Sequence, residues 1–339
     1  MSPSEPIRVR ADAPMRLDHP PAHLELSWRP IQVRDRDALH ALVEAIEVAD
    51  RFPERTSPAE VEEMLGAPWL DLEQDSLVGV DHTGTLRAYA VVDMPPDAET
   101  VVRVNLRGGV HPRWRGRGIG RAVLAWMEGR GRQRLADSGV ELPARLAVMV
   151  AEHSRDHRRL YAAAGFSPIR WYTVMRRDLG SELPDAPVPE QLRLAPWTDE
   201  LDDAVRLAHN EAFMDHWGSQ PQSAKAWRQH ASHFAPQWSW LAMHDDAVVG
   251  YLLSSRHPQD WSAIGYTCGF TEMVGVVPAW RGRGVAAALL VKAMTAYRED
   301  GMEYACLLVD TANPTGAHEL YDRLGYEPTY GYVLYSVEI

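Results

Sequence analysis

Two arginine-glycine loops stand about half the chain apart in this sequence of 339 residues. The first is Val110-His-Pro-Arg-Trp-Arg-Gly-Arg-Gly-Ile-Gly-Arg121 and the second Val276-Val-Pro-Ala-Trp-Arg-Gly-Arg-Gly-Val-Ala-Ala287. In the second, an apolar run over 274–277 stops at Pro278. Gly282 and Gly284 then let successive backbone amides turn toward one point, and strong helix formers follow from Val285. An anion there meets the free N–H groups and positive dipole of a helix N-terminus. Arg281 and Arg283 add permanent charge suited to phosphate oxygens. The loops therefore read as cradles for a diphosphate, built in the second copy from Val274, Val276, Arg281, Gly282, Arg283, Gly284, Val285 and Ala286. The first copy offers Val110, Arg115, Gly116, Arg117, Gly118, Ile119 and Gly120.

Two other readings compete. One such loop is an ordinary exposed turn, but the whole Pro-x-Trp-Arg-Gly-Arg-Gly string occurring twice argues against that. Gly282-Arg-Gly284-Val-Ala-Ala287 also fits a dinucleotide fingerprint, which belongs after the first strand of a βαβ unit. Here several segments with the pattern of antiparallel strands precede it, so this reading ranks low.

The elements that must position the second cradle follow from periodicity and punctuation. Strands are expected at 192–195, 239–243, 248–254 and 270–276 before the cradle helix, and at 304–309 and 333–337 after it. Helices are expected at 201–213, 224–233 and 315–324. The order is βααβββαβαβ, an α/β chain with a mixed sheet. On alternation, Glu272, Val274 and Val276 should share one strand face.

With that order on the page, the chain resembles the GNAT superfamily of N-acetyltransferases. Arg115-Gly-Arg-Gly-Ile-Gly120 and Arg281-Gly-Arg-Gly-Val-Ala286 are similar to its acyl-coenzyme A signature: glutamine or arginine, two residues, glycine, one residue, then glycine or alanine. Downstream, Asn313-Pro-Thr-Gly-Ala317-His-Glu-Leu-Tyr321-Asp-Arg-Leu-Gly325-Tyr326 resembles the family's second conserved segment. The resemblance covers nearly the whole chain as two tandem GNAT-like domains, an arrangement similar to the mycothiol synthase type. It implies acetyl-CoA as co-substrate and direct transfer of acetyl to a primary amine of a small molecule or peptide, with no covalent enzyme intermediate.

The resemblance also implies roles. The acceptor amine must lose a proton before or during attack, and Glu272, directly or through a water, is the candidate base. In tandem relatives the base can stand two residues earlier, where this chain has Phe270. Backbone amides at 274–277 are the expected oxyanion donors. Tyr321 is expected to protonate the departing thiolate, and Asn313 to join the coenzyme A site. The halves are unequally equipped: Leu106 and His153 occupy the places of Glu272 and Asn313. Catalysis is therefore expected in the C-terminal domain, with a degenerate N-terminal copy. On the acceptor side, Glu211, Asp215 and Trp217 are candidate contacts. A non-catalytic acyl-CoA sensor or scaffold is the alternative from another class; mycothiol synthesis, with a cysteinyl pseudodisaccharide as acceptor, is the narrower enzyme alternative.

The domain plan is a flexible arm at 1–24, a first domain at 25–180, a proline-rich linker at 181–190 and a second domain at 191–339. A formal net charge of −12 argues against nucleic acid as a partner. The histidines lack metal-ligand spacing, so no metal is expected, and two cysteines make no disulfide framework. No signal-peptide pattern or bilayer-length apolar stretch is seen, so no membrane partner and a cytoplasmic location are expected.

Overall fold

Alternating and continuous apolar runs give the strands, and Gly and Pro end them. The computed structural model describes residues 5–96, 98–214, 219–227, 232–312 and 317–339. In chain order the elements are α1 (Ile7–Arg10), β1 (Ser27–Arg29), α2 (Arg36–Asp50), α3 (Pro58–Leu65), α4 (Leu72–Asp75), β2 (Ser76–Val80), β3 (Leu86–Asp93), β4 (Val102–Val110), α5 (Ile119–Asp137), β5 (Ala144–Ala151), α6 (Arg155–Ala163) and β6 (Ser167–Asp178). They continue with β7 (Arg193–Pro196), α7 (Asp202–Ala212), α8 (Ala224–Trp227), β8 (Trp240–His244), β9 (Ala247–Ser255), α9 (Trp261–Ile264), β10 (Cys268–Val276), α10 (Val285–Glu299), β11 (Tyr304–Asp310), α11 (Ala317–Arg323) and β12 (Glu327–Glu338). The mixed α/β sheet architecture expected from the sequence is what the chain forms. Of the helix expected at 224–233, residues 224–227 are helical and 228–231 lie outside the described residues.

The chain divides into two compact units, 1–169 with 332–339, and 170–331. In the first, the sheet order is β1-β2-β3-β4-β5-β12, with β4 and β5 parallel. Its core lies between the sheet and α5, where Val123, Leu124 and Met127 join Val104, Leu106 and Leu146. In the second, the order is β6-β11-β10-β9-β8-β7, with β10 and β11 parallel. There α10 contributes Leu289, Leu290, Ala293, Met294 and Tyr297 to the core, with Leu241, Leu252 and Leu307 from the sheet.

Each sheet is completed by a strand that follows in sequence from the other repeat. Tyr332 to Glu338 of β12 pair antiparallel with Ala151 to Arg145 of β5. Tyr172 to Asp178 of β6 pair antiparallel with Asp310 to Tyr304 of β11. The boundaries expected at 25–180 and 191–339 therefore do not coincide with the compact units, because β12 pairs with β5 and β6 with β11. The 181–190 segment also does more than connect, since Leu183 packs against the core of the second unit.

The N-terminal arm, expected to be loose, is anchored at several of its described residues. Ile7 and Ala11 are buried. The Arg10 guanidinium donates to the carbonyls of Glu5, Leu142 and Ile339, and Arg132 donates to the Ala11 carbonyl at 2.8 Å. The anchors of this arm are therefore hydrogen bonds between groups far apart in sequence, from Arg10 to Leu142 and Ile339 and from Arg132 to Ala11.

The exchange makes a clear prediction. Removing residues 332–339 should leave β5 without its antiparallel neighbour and strip Val333 and Tyr335 from the first unit's core. Hydrogen-exchange mass spectrometry should then show faster exchange across 144–151, with 304–310 still protected. The opposite pattern would contradict the exchange.

Candidate active site

In the second unit, β10 ends at Val276 and a 3-10 turn at Pro278–Trp280 redirects the chain. Gly282 and Gly284 then take φ of 73° and 82°, the left-handed region that costs glycine nothing. The first backbone bond of α10 is Ala288 N–H to Gly284 O at 3.0 Å, so the amides ahead of it point out of the helix end. Arg281 is a strut: its Nε donates to Val276 O at 3.2 Å and its Nη2 to Ala212 O, the end of α7, at 2.7 Å. Arg283 lies over the Trp280 ring at 4.8 Å.

The first unit repeats this geometry. Gly116 and Gly118 have φ of 78° and 89°, Arg115 Nε donates to Val110 O at 3.1 Å, and Arg117 lies 4.5 Å over Trp114. Its strut ends on a charge instead of a carbonyl: Arg115 makes two bonds, at 2.5 and 2.8 Å, to the Asp50 carboxylate at the end of α2. His153 Nε2 contacts the Asp50 carbonyl at 3.0 Å, and burial lowers the pKa of His157 nearby.

What differs is the strand before each cradle. β10 and β11 pair only from Cys268/Tyr304 to Thr271/Leu307 and then part. A cavity of about 880 Å³ opens beside the unpaired stretch. At the parting point β10 carries a bulge: Thr271 faces Ser254 and Met273 faces Leu253, so Glu272 is the extra residue. Thr271 is held on the α10 side, where its hydroxyl and that of Ser254 meet Tyr297 Oη at 3.1 and 2.7 Å. Val277 N–H is bonded to Val249 O, so by alternation the amides of Val276 and Val274 point the other way, toward the gap.

The bulge corrects the expectation that Glu272 shares a face with Val274 and Val276. Gly250, Leu252 and Ser254 alternate regularly along β9, opposite Val276, Val274 and Thr271. Ser255, on the other face, donates to Glu272 Oε1 at 2.5 Å. His257 Nε2 lies 3.0 Å from the same oxygen. The carboxylate thus leaves the sheet opposite Val274 and Val276, although all three residues line the cavity.

Tyr321, on α11, is 7% exposed and also lines the cavity. Burial pushes its pKa up to about 12, because a phenolate would lose its hydration there. The phenol therefore keeps its proton at neutral pH and is available as a donor. Arg281, Gly282, Arg283, Gly284, Val285 and Ala286 line the same cavity. Asn313, Asp215 and Trp217 lie outside the described residues. Glu211 is exposed on α7 and is not among the lining residues.

From the end of α7, His209 and Phe213 line the cavity instead, one turn apart and stacked at 4.7 Å. His209 Nδ1 is 2.6 Å from Tyr251 Oη. Their four-residue spacing was the available signal. Pro184 to Pro187 also line the cavity, and no local pattern announced that. In the first unit Leu106 is a buried core residue of β4, which pairs with β3 without a register shift over Asp93/Asn105 to Ala88/Val110. That strand has neither the carboxylate nor the bulge.

The model of the acetyltransferase (GNAT) family matches residues 39–166 and again 202–326. The chain belongs to the GNAT family. Among this GNAT protein's relatives is a mycothiol acetyltransferase of Thermobispora bispora, 32% identical over 300 residues, covering 86% of this chain and 92% of the relative. Another of that name, from Nocardia farcinica, is 30% identical and covers 76% and 80%. A GCN5-related N-acetyltransferase structure from Sphaerobacter thermophilus superposes with a TM-score of 0.68 at 28% identity, covering 93% of this chain and 96% of that one. A tandem GNAT protein from the clavulanic acid biosynthesis pathway shares the fold, with a TM-score of 0.63 at 21% identity and coverage of 93% and 98%. With relatives named for acetyl transfer over most of its length, this GNAT chain is an N-acetyltransferase. No described helix is long and apolar enough to cross a membrane.

The close approach of β10 to Tyr251 gives a stability prediction. A Cβ on Gly275 would lie 2.6 Å from Tyr251 Cε1, and Tyr251 is fully buried. Gly275→Ala should cost about 1–3 kcal/mol by overpacking, read as a lower denaturant midpoint at unchanged slope.

Proposed function

We propose that the second unit transfers an acetyl group from acetyl-CoA to the primary amine of a small molecule or peptide by direct attack in a ternary complex. The observation that carries this reading is one cavity lined by the cradle, by Glu272 and by Tyr321. The outward amides of α10, with Arg283, suit the coenzyme pyrophosphate. The thioester would run into the gap between β10 and β11, with the Val274 and Val276 amides as donors to the oxyanion. Glu272 takes the proton from the acceptor ammonium, the free amine attacks the carbonyl, and the C–S bond breaks as the tetrahedral adduct collapses. Tyr321 donates its proton to the leaving thiolate, and the proton that the attacking nitrogen sheds in becoming an amide restores the phenol. The products are the N-acetyl amide and free coenzyme A.

The first unit keeps the cradle and lacks Glu272 and its bulge, which supports a non-transferring role for it. For the acceptor, the names of the relatives favour the cysteinyl amine of a mycothiol precursor. The carboxylate of Glu272 and that of Asp185 on the cavity wall suit a cationic amine.

Calorimetric titration of acetyl-CoA into the intact chain and into Gly284→Asp and Gly118→Asp tests the reading. Binding lost with Gly284→Asp is expected; no binding by the intact chain would sink the proposal, and binding without transfer to any amine would make the protein a sensor. Glu272→Gln should lower kcat about 100-fold or more, as expected for loss of a general base. Tyr321 works protonated, so its contribution should persist as pH rises and fall only near its raised pKa of about 12. A pH–rate profile should therefore show an alkaline limb near pH 10 in neither the intact chain nor Tyr321→Phe. A limb there that Tyr321→Phe removes would contradict the burial effect.

A further inference from the structure

A glutamate on a strand bulge is a poor base unless something fixes it. Glu272 is 42% exposed in its side chain and has three rotatable bonds. The strand itself contributes no rigidity at this residue, because the bulge takes it out of the ladder. Two side chains from the end of β9 and the turn after it converge on one of its oxygens. Ser255 is 2% exposed and donates from Oγ to Oε1 at 2.5 Å, and His257 Nε2 stands 3.0 Å from Oε1 and 2.7 Å from Ser255 Oγ. The three groups are in mutual contact, so each fixes the other two.

The imidazole is itself held. The Phe270 ring meets it edge-on at 5.9 Å, and the His233 ring lies 4.6 Å away. Phe270 is the neighbour of Ser255 across the strand pair, so residues on both strands next to the bulge take part. The first unit has no inserted residue at this point: buried Leu106 pairs regularly with Val92, as Thr271 pairs with Ser254, so no counterpart of Glu272 is there for such a clamp to hold. The clamp accompanies the carboxylate and is missing where the carboxylate is missing.

We infer that Ser255 and His257 are positioning residues for the acetyl transfer, holding the Glu272 carboxylate in one rotamer against the cavity. This rests on the proposed base role of Glu272. His257 and Ser255 act through that carboxylate and do not touch the reacting atoms. Two donors on Oε1 leave the direction of the carboxylate set before the amine arrives, which is where orientation contributes to rate.

The test uses the full chain, with acetyl-CoA as donor and L-cysteinamide and spermidine as amine probes, product being counted by mass spectrometry. His257→Ala should lower kcat about 10–100-fold, the scale of a displaced catalytic group, with an unchanged acetyl-CoA dissociation constant. His257→Gln, whose amide nitrogen can still donate, should recover most of the loss, and Ser255→Ala should fall in the same direction as His257→Ala. A crystal structure of His257→Ala should show the Glu272 carboxylate away from Ser255. An unchanged kcat in His257→Ala, a loss that His257→Gln does not relieve, or an unmoved Glu272 would overturn the inference. If the intact chain acetylates neither probe, the transfer reading itself falls and the inference with it, a failure visible before any variant is made.

Discussion

Everything at the candidate site depends on two parallel strands that stop pairing halfway along their length. After Thr271 and Leu307, β10 keeps its bonds to β9 and loses those to β11. A strand edge inside a sheet would normally be a liability, because its amides and carbonyls have no partners. Here the edge faces a cavity, and its amides at Val274 and Val276 are the donors that the proposed transfer would use for its oxyanion. The parting is held in place by the hydroxyls of Ser254, Thr271 and Tyr297, buried together on the α10 side just where the ladder ends. Burial raises the pKa of Tyr297, so the network stays neutral and hydrogen-bonded.

The bulge at Glu272 follows from the same place. A regular strand would have sent this side chain to the face of Val274 and Val276. The extra residue turns it to the face of Ser255, where it meets His257 and looks into the same opening as Tyr321. The cradle and the carboxylate are thus arranged by separate devices. Left-handed glycines and a helix end make the first, and a single inserted residue makes the second. The first unit retains one device and lacks the other, so two copies of one loop keep the same glycine geometry while only one stands beside a strand bulge with a carboxylate.

The arginine that opens each loop is as much a structural part as an electrostatic one. Arg281 ties the end of β10 to the end of α7, and Arg115 ties the end of β4 to the end of α2. In both units the tie fixes a helix end beside the cradle. A chain with a formal charge of −12 keeps these few arginines as local positive points, which suits a site for a phosphorylated ligand and a cationic acceptor in one protein.

The cradle and the family were legible in the sequence because their information is local. Gly284 at a helix start and Arg281 five residues after a strand end are contiguous, and the phrase repeats. The element order was legible for the same reason, since period and punctuation act over a few residues. The face of Glu272 was not, because a bulge is a property of two strands in register and alternation along one strand is blind to it. Nor was the clamp, since Ser255 and His257 lie 15 or more residues from Glu272 and meet it only across the β9–β10 pair. The strand exchange was hidden more deeply still, because the pattern along one strand does not say which distant strand it pairs with. Sequence periodicity determined that a closing strand exists at 333–337, and only the tertiary packing of Val333 and Tyr335 against the first core, and of Met175 in the second, decided which sheet that strand and β6 join.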